Sequence, residues 1–406
     1  MNNKHWFTLH GDTFLWLKDN IGLAYNADNK NRFQFPLSDK IEKICYQLLV
    51  TENLYTAELT DEELDDDEIN RWIHSLINIQ AGYLSLNVEF DKRPVSLKPI
   101  LKVQDNRAYY EDQRKLGFRG KILQNLHELT FYINGSVQGN NEYFKQTIYP
   151  VKSNQVLDRS KILSFIKNSR NLFLSNINLV GDLFSYIGFK GLINDISDLS
   201  IQSTIHISIK NLLNHIQDIK QIRWPADTRF NILVDTVFEV SRLTDIPLPF
   251  TITVFVLSEN DLMQYSSMFE IFPAVQKINY IPLYNKENLS FFESNVFIEE
   301  EDIDKMELSK NDIFIRQAIN TGDFGKLTVM PDGNVYANVN APSLGTIDDS
   351  PYSIVYKEFT NGKSWFKLRE QAPCNNCIYQ WLCPTPSNYE TVLELPNLCH
   401  VKNKNM

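Results

Sequence analysis

The sequence predicts an α/β protein of two or three domains built around a largely parallel sheet. Three observations carry that expectation. The chain has 406 residues, long enough for more than one domain, and its 43% hydrophobic content supplies ordinary cores. Between residues 97 and 313 the runs ELTFYIN, NINLVG, IHISI, FNILVD, FTITVFVL and INYIPLY are rich in β-branched and aromatic residues. The stretches between those runs are long enough for crossover helices. Such spacing implies βαβ units in a sheet that is open or partly closed into a barrel.

Residues 1–86 follow a different logic. Alternation in HWFTLHGDTFLWL, NIGLAYN and NRFQFPL predicts three antiparallel strands, with NADNKN closing a hairpin. Ser38 and Asp39 then start a helix whose apolar residues Ile41, Ile44, Cys45, Leu48 and Leu49 recur at helical spacing. On that stripe Cys45 reads as a small core residue. After the acidic run ELTDEELDDDE, read as solvating a loop and a helix start, comes a second amphipathic helix with Ile69, Trp72, Ile73, Leu76 and Ile77, closed by Gly82. The order and size match a small winged-helix module.

Residues 314–406 begin with a hairpin, KLTVMPDGNVYANVN, turning at Pro331-Asp332-Gly333. A short helix containing Trp365 and Leu368 is expected next, then a cysteine cluster followed by little regular structure. Cys374, Cys377, Cys383 and Cys399 are spaced C-x2-C-x5-C-x15-C, so four of the five cysteines fall in one short region. A C-x2-C turn lets two thiolates grip one centre, and two more complete four-thiolate ligation of Zn²⁺ or an iron–sulfur cluster. Spacing alone leaves both open and slightly favours zinc. His400 is a competing ligand, though its place beside Cys399 makes joint ligation awkward.

Charge and termini exclude some classes. A net charge of −10 argues against sequence-independent nucleic-acid binding and against an anionic membrane surface. MNNKHWFTLHGDTF lacks a signal peptide's basic and apolar regions, and no apolar run approaches a membrane span, so a cytoplasmic location is expected. Reducing conditions there favour metal or redox roles for clustered cysteines. No G-x-S-x-G, P-loop, H-E-x-x-H or G-x-G-x-x-G motif is present, and the seven histidines are scattered. Around the expected sheet mouth, Asn134–Asn141, Glu142, Lys145, Asn178–Asp182, Trp224 and Asp235 are candidate lining residues.

CNNCIYQWLCPTPSNYE, preceded by VMPDGNVYANVN and LGTI, resembles the SPASM domain, the C-terminal auxiliary-cluster module of peptide-modifying radical SAM enzymes. That family's pattern is C-x9-15-G-x4-C, then C-x2-C-x5-C-x3-C and a final cysteine. Here Asn338 stands after Gly333 where the family has cysteine, the window upstream of Gly333, including Asn320, has none, and Ser387 replaces the x3-C cysteine. The resemblance therefore implies that the inner cluster's ligands are missing while Cys374, Cys377, Cys383 and Cys399 complete the outer set. It moves the expectation from zinc toward one [4Fe–4S] cluster, with Zn²⁺ as the alternative. Active members also carry C-x3-C-x2-C after the first barrel strand. The corresponding loop here, GSVQGNNEYFKQTIYP, has no cysteine, so no S-adenosylmethionine cluster is expected.

The whole chain thus resembles a pseudo-radical SAM/SPASM protein of a Bacteroidetes-type ribosomal peptide (RiPP) maturation system. That resemblance implies a winged-helix-like peptide-recognition module over 1–86, a degenerate radical-SAM-like partial (β/α) barrel over 97–313 and a SPASM domain over 314–406. A leader peptide would add as a strand along Arg32, Phe33, Gln34 and Phe35, beside the helix carrying Ile41 and Cys45. The function implied is a catalytically inactive scaffold that binds a ribosomal precursor peptide and assists a partner modifying enzyme. The alternatives are an enzyme with other chemistry at the barrel mouth, or a zinc-stapled interaction protein.

Overall fold

A computed structural model describes residues 4–86, 92–100, 121–135, 142–246, 248–270 and 277–401, with a few isolated positions between 101 and 120. Among them are fifteen strands in three sheets.

The N-terminal segment forms two small sheets. HWFTLHGDTFLWL does not make one strand: a turn in which Thr13 N–H donates to His10 C=O divides it into β1 (Lys4–Leu9) and β2 (Thr13–Lys18). The expected three-stranded meander is β2, β3 (Ile21–Asn26) and β4 (Arg32–Pro36). Strand β1 instead pairs with β5 (Thr56–Thr60) and β6 (Gly82–Ser85), neither of which the sequence pattern suggested. Part of the acidic run is therefore β5 rather than loop, followed by helix α2 (Asp61–Leu64) with a Thr60/Glu63 capping box.

Helix α1 (Asp39–Leu49) starts where expected, with Ser38 Oγ accepting from Ile41 N–H, and buries Ile41, Ile44, Cys45 and Leu48. Helix α3 (Asp67–Asn78) is capped by Asp66 and buries Ile69, Trp72, Ile73 and Leu76. Gly82 does not close it. The chain leaves the helix with Gln80 at φ 55°, and Gly82 sits in β6, where a Cβ would lie 2.5 Å from Thr8 O. Close strand approach, not helix termination, demands this glycine.

The β2–β3–β4 meander separates two cores by simple alternation. Leu15, Ala24 and Phe35 face helices α1 and α3, whereas Phe14, Leu23 and Tyr25 face Ile303, Leu308, Ile313 and the loop bearing Cys377. Tyr25 donates to Leu308 O at 2.8 Å, Phe14 packs edge-on against Phe314, and Lys310 Nζ lies 3.0 Å from Asp12 Oδ1. The N-terminal module is thereby docked on residues 303–314 and on the cysteine-bearing loop.

The central runs form β7 (Glu128–Tyr132), β8 (Asn176–Val180), β9 (Gln202–Ser208), β10 (Thr228–Val234), β11 (Phe250–Val256) and β12 (Ile278–Pro282). Each is parallel to the next and they lie in sequence order. Because every right-handed crossover advances the same way, the helices collect on one face. That face carries Leu129, Phe131, Ile177, Leu179, Ile205, Ile207, Ile232 and Val254 in the main core, with helix residues such as Phe165 and Leu192 against them.

The opposite face carries a polar ladder through the middle of the strands. Asn178 Nδ2 donates to Thr130 Oγ1 (3.1 Å), His206 Nε2 lies 3.0 Å from Asn178 Oδ1, Asn231 Nδ2 lies 3.0 Å from His206 Nδ1, and Thr253 donates to Asn231 Oδ1 (3.0 Å). One consistent donor chain requires neutral His206 with its proton on Nε2, and burial holds its pKa down to about 4.

Strands β13 (Lys326–Val329), β14 (Asn334–Tyr336) and β15 (Gly345–Thr346) extend the same sheet from β7. The hairpin predicted at Pro331–Gly333 is present, with Gly333 at φ 86°. The expected helix around Trp365 lies earlier, at Pro351–Asn361. There proline occupies the first turn, and buried Glu358 accepts from Ser364 and Trp365 N–H, ending the helix and turning the chain inward. Between Cys383 and Cys399 one further helix forms, Asn388–Leu393. Among the described residues no helix is long and apolar enough to cross a membrane.

Candidate functional site

Cys374, Cys377, Cys383 and Cys399 line one cavity of about 20 Å³, together with Ile298, Arg369, Gln380, Asn397 and Leu398. A tight 3₁₀ turn, Cys374–Asn376, presents the first two, with Cys377 N–H donating to Cys374 O at 3.0 Å. A second turn brings in Cys383, whose N–H donates to Tyr379 O at 3.0 Å. Cys399 arrives from the other side through a parallel bridge to Ile298. His400 is turned away: its Nε2 lies 2.8 Å from Glu293 O, and its ring packs on Phe297.

All four side chains are free thiols. Burial pushes Cys383 up to about 12, the nearby Arg369 guanidinium opposes this, and the other three thiols add to the rise. Arg369 Nη1 lies 3.8 Å from Cys374 Sγ, while its Nη2 donates to Glu390 Oε1 at 2.8 Å in an ion pair with both partners under 10% exposed. Among the described residues no group of three or more His, Cys, Asp or Glu side chains is arranged to hold a metal ion as it stands. The donor set nonetheless suits one: four thiols around one small cavity, with a guanidinium to offset thiolate charge, match Zn²⁺ or an iron–sulfur cluster.

The positions that lack cysteine are filled by hydrogen-bonded polar groups. Asn320 Nδ2 donates to Pro386 O (2.9 Å), and the hydroxyls of Thr321 and Thr385 are 2.8 Å apart. Asn338 Nδ2 donates to Asn388 Oδ1 (2.6 Å) and to Asp323 Oδ2 (2.9 Å), whose pKa burial raises. Ser387 caps Asn388–Leu393 in a box with Glu390, the same residue that pairs with Arg369. Sequence reasoning named the cysteines but missed Arg369 and Glu390. The S-x-x-E spacing of Ser387 and Glu390 is the signal that could have found the second.

At the C-terminal ends of β8–β11 lies a cavity of about 440 Å³, lined by Tyr149, Asp182, Ser208, Lys210, Asn211 and Asp235 among others. Gly181, at φ 137°, is required there, because a Cβ would sit 2.3 Å from Asn134 Oδ1. Asn134 in turn accepts from Asp182 N–H and donates to Asp182 O, each at 2.8 Å. Asp182 Oδ1 is buried without a hydrogen-bond partner among the described residues. Residues 136–141 of the expected polar loop lie outside the described residues.

The rest of that loop packs on the same face as the polar ladder, over apolar residues at the C-terminal ends of the strands. Tyr143 and Tyr149 cluster with Leu233 and Phe255, while Phe144, Ile148 and Val151 cluster with Tyr132 and Val180. Gln146 fastens it, its side-chain amide bonded both ways to the backbone of Tyr284 at 2.8 Å. Glu142 and Lys145 pair with each other at 2.8 Å, and neither lines the mouth cavity. Trp224 does not face the mouth either. It precedes β10, packs on Phe230 and donates to Ile219 O, at the opposite end of the sheet.

Of the six residues assigned to peptide contact, Phe35, Ile41 and Cys45 are buried in the module's own core. Burial also pushes the Cys45 thiol up to about 12, with Glu42 adding to it. Phe33 stacks on Phe35, and Arg32 and Gln34 point to Tyr379. Strand β4 has β3 on one side and, among the described residues, no strand on the other.

No protein-family model matches the sequence, and no curated protein matches it. Among solved structures the chain is similar to Streptococcus suis SuiB bound to precursor peptide SuiA, at 10% identity over 98% of this chain and 100% of that one, TM-score 0.49. It is also similar to SuiB bound to S-adenosylmethionine, at 11% identity over 96% and 97%, TM-score 0.42. A third is native anSMEcpe with bound AdoMet and Kp18Cys peptide, at 14% identity over 63% and 87%, TM-score 0.41.

Proposed function

We propose that this chain is a catalytically inactive radical-SAM-like scaffold, with one metal centre on Cys374, Cys377, Cys383 and Cys399, that binds a ribosomal precursor peptide and assists a partner enzyme in its maturation. The observation that carries this reading is the segment after β7. Where the resemblance calls for cluster cysteines, Tyr143, Phe144, Ile148, Tyr149 and Val151 instead pack across the sheet. The segment packs on the sheet beside the mouth cavity and carries no cysteine, so it offers no thiolate to hold an open-iron cluster. In this reading the peptide adds to the open edge of β4 by backbone pairing, and the metal centre is a [4Fe–4S] cluster, with Zn²⁺ as the alternative.

Anaerobic reconstitution with iron and sulfide, followed by S-adenosylmethionine and a reductant, tests the inactive half. No 5′-deoxyadenosine is expected above a protein-free control, and its formation would overturn the reading. Metal analysis with an absorption spectrum separates cluster from zinc: broad visible absorption in one case, a colourless protein holding stoichiometric zinc in the other.

One observation favours a second reading, an enzyme using other chemistry. The 440 Å³ cavity beside the packed loop brings Asp182, Lys210, Asp235 and Tyr149 to the strand C-termini, the usual ligand position of an α/β sheet. Under the scaffold reading, Asp182→Asn and Asp235→Asn leave the partner-assisted reaction intact; under this one they abolish it.

A further inference from the structure

The cysteine cavity and strand β4 come from opposite ends of the sequence and meet at Tyr379. This residue belongs to the turn between Cys377 and Cys383, and its carbonyl accepts from Leu382 and Cys383 N–H. Its hydroxyl lies 2.5 Å from both Gln34 Oε1 and Glu300 Oε1, and the Arg32 guanidinium sits 5.5 Å from its ring centroid. The other arm of the cysteine set reaches the same strand. Cys399 bridges to Ile298, and the helix that follows, Glu300–Asp304, supplies Glu300 to Tyr379 and Asp304 to Arg32.

Strand β4 is thus held through side chains that stand on both arms of the four-cysteine site. With free thiols, no disulfide joins those arms, which meet through the Tyr379–Glu300 contact. A centre ligated by Cys374, Cys377 and Cys383 from one arm and Cys399 from the other would fix the distance between them. Tyr379 and Glu300 would then be fixed too, and between them the groups that receive Gln34.

We propose that the metal centre and strand β4 are energetically coupled through Tyr379, so that loading the four cysteines orders β4 and a strand added to β4 tightens metal binding by the same factor. The inference rests on the four-cysteine reading above. Reciprocity follows because each site favours the arrangement in which Tyr379, Glu300 and β4 are locked together.

Hydrogen exchange on the full chain tests this, comparing a chelator-treated sample with one loaded with Zn²⁺ or, anaerobically, with iron and sulfide. Loading is expected to slow exchange at the backbone amides of residues 32–35 by about 5–150-fold, the usual span of coupling between sites, while β10 amides stay unchanged. Gln34→Ala and Tyr379→Phe are expected to take up the same metal and lose most of the slowing. Full loading without slower exchange in β4 would overturn the coupling, as would slowing that survives both substitutions. A chain that takes up neither metal, seen by metal analysis of the same samples, overturns the four-cysteine reading itself.

Discussion

Five cysteines with free thiols occupy two kinds of surroundings. Cys45 is enclosed by its own helix core, whereas the other four line one cavity with Arg369. Serine at any of Cys374, Cys377, Cys383 or Cys399 is therefore expected to abolish stoichiometric metal uptake, and Cys45→Ala to leave it unchanged, as read by metal analysis. The C-x2-C-x5-C spacing made the four legible, because ligand spacing is local. Arg369 was not, since its closeness to Cys374 Sγ depends on how the turns fold back. His206 was missed for a related reason: its polar ladder exists only once parallel strands align Thr130, Asn178, His206 and Asn231. With a folded pKa of about 4 against an ordinary 6.5, the unfolded chain takes up this proton first as pH falls. Its contribution is complete above pH 6.5 and is lost between 6.5 and 4, by on the order of 3 kcal/mol. Urea midpoints measured across that window should show the slope, and His206→Gln should flatten it.

At the level of elements, strands buried on an apolar face were the easiest to read. All six central runs became β7–β12, because β-branched and aromatic residues between helix-length spacers leave few other arrangements. Errors fell where packing, not pattern, decides. The break between β1 and β2 and the true place of Gly82 both follow from close contact between strands distant in sequence. So does Gly181, whose strained φ and tight approach to Asn134 shape the mouth. Gly181→Ala is expected to destabilise the central sheet by about 1–3 kcal/mol. Thermal unfolding followed calorimetrically checks this, a midpoint equal to wild type counting against it.

Over the whole molecule, the contacts between segments distant in sequence were not legible in the pattern. The C-terminal hairpin continues the central sheet through β13 beside β7, and the N-terminal meander packs on residues 303–314 and on the cysteine-bearing loop through Phe14, Tyr25 and Tyr379. Those contacts place strand β4, which among the described residues has no strand on its outer side, beside the cysteine loop, where in the proposed reading a bound peptide and a metal centre would share one framework. Peptide binding is the claim on which the scaffold reading stands. Calorimetric titration of the metal-loaded protein with the leader segments of precursor peptides encoded beside its gene measures it most directly. The account predicts saturable one-to-one binding by at least one leader, weakened in the chelator-treated protein; the absence of binding by every such leader would contradict it.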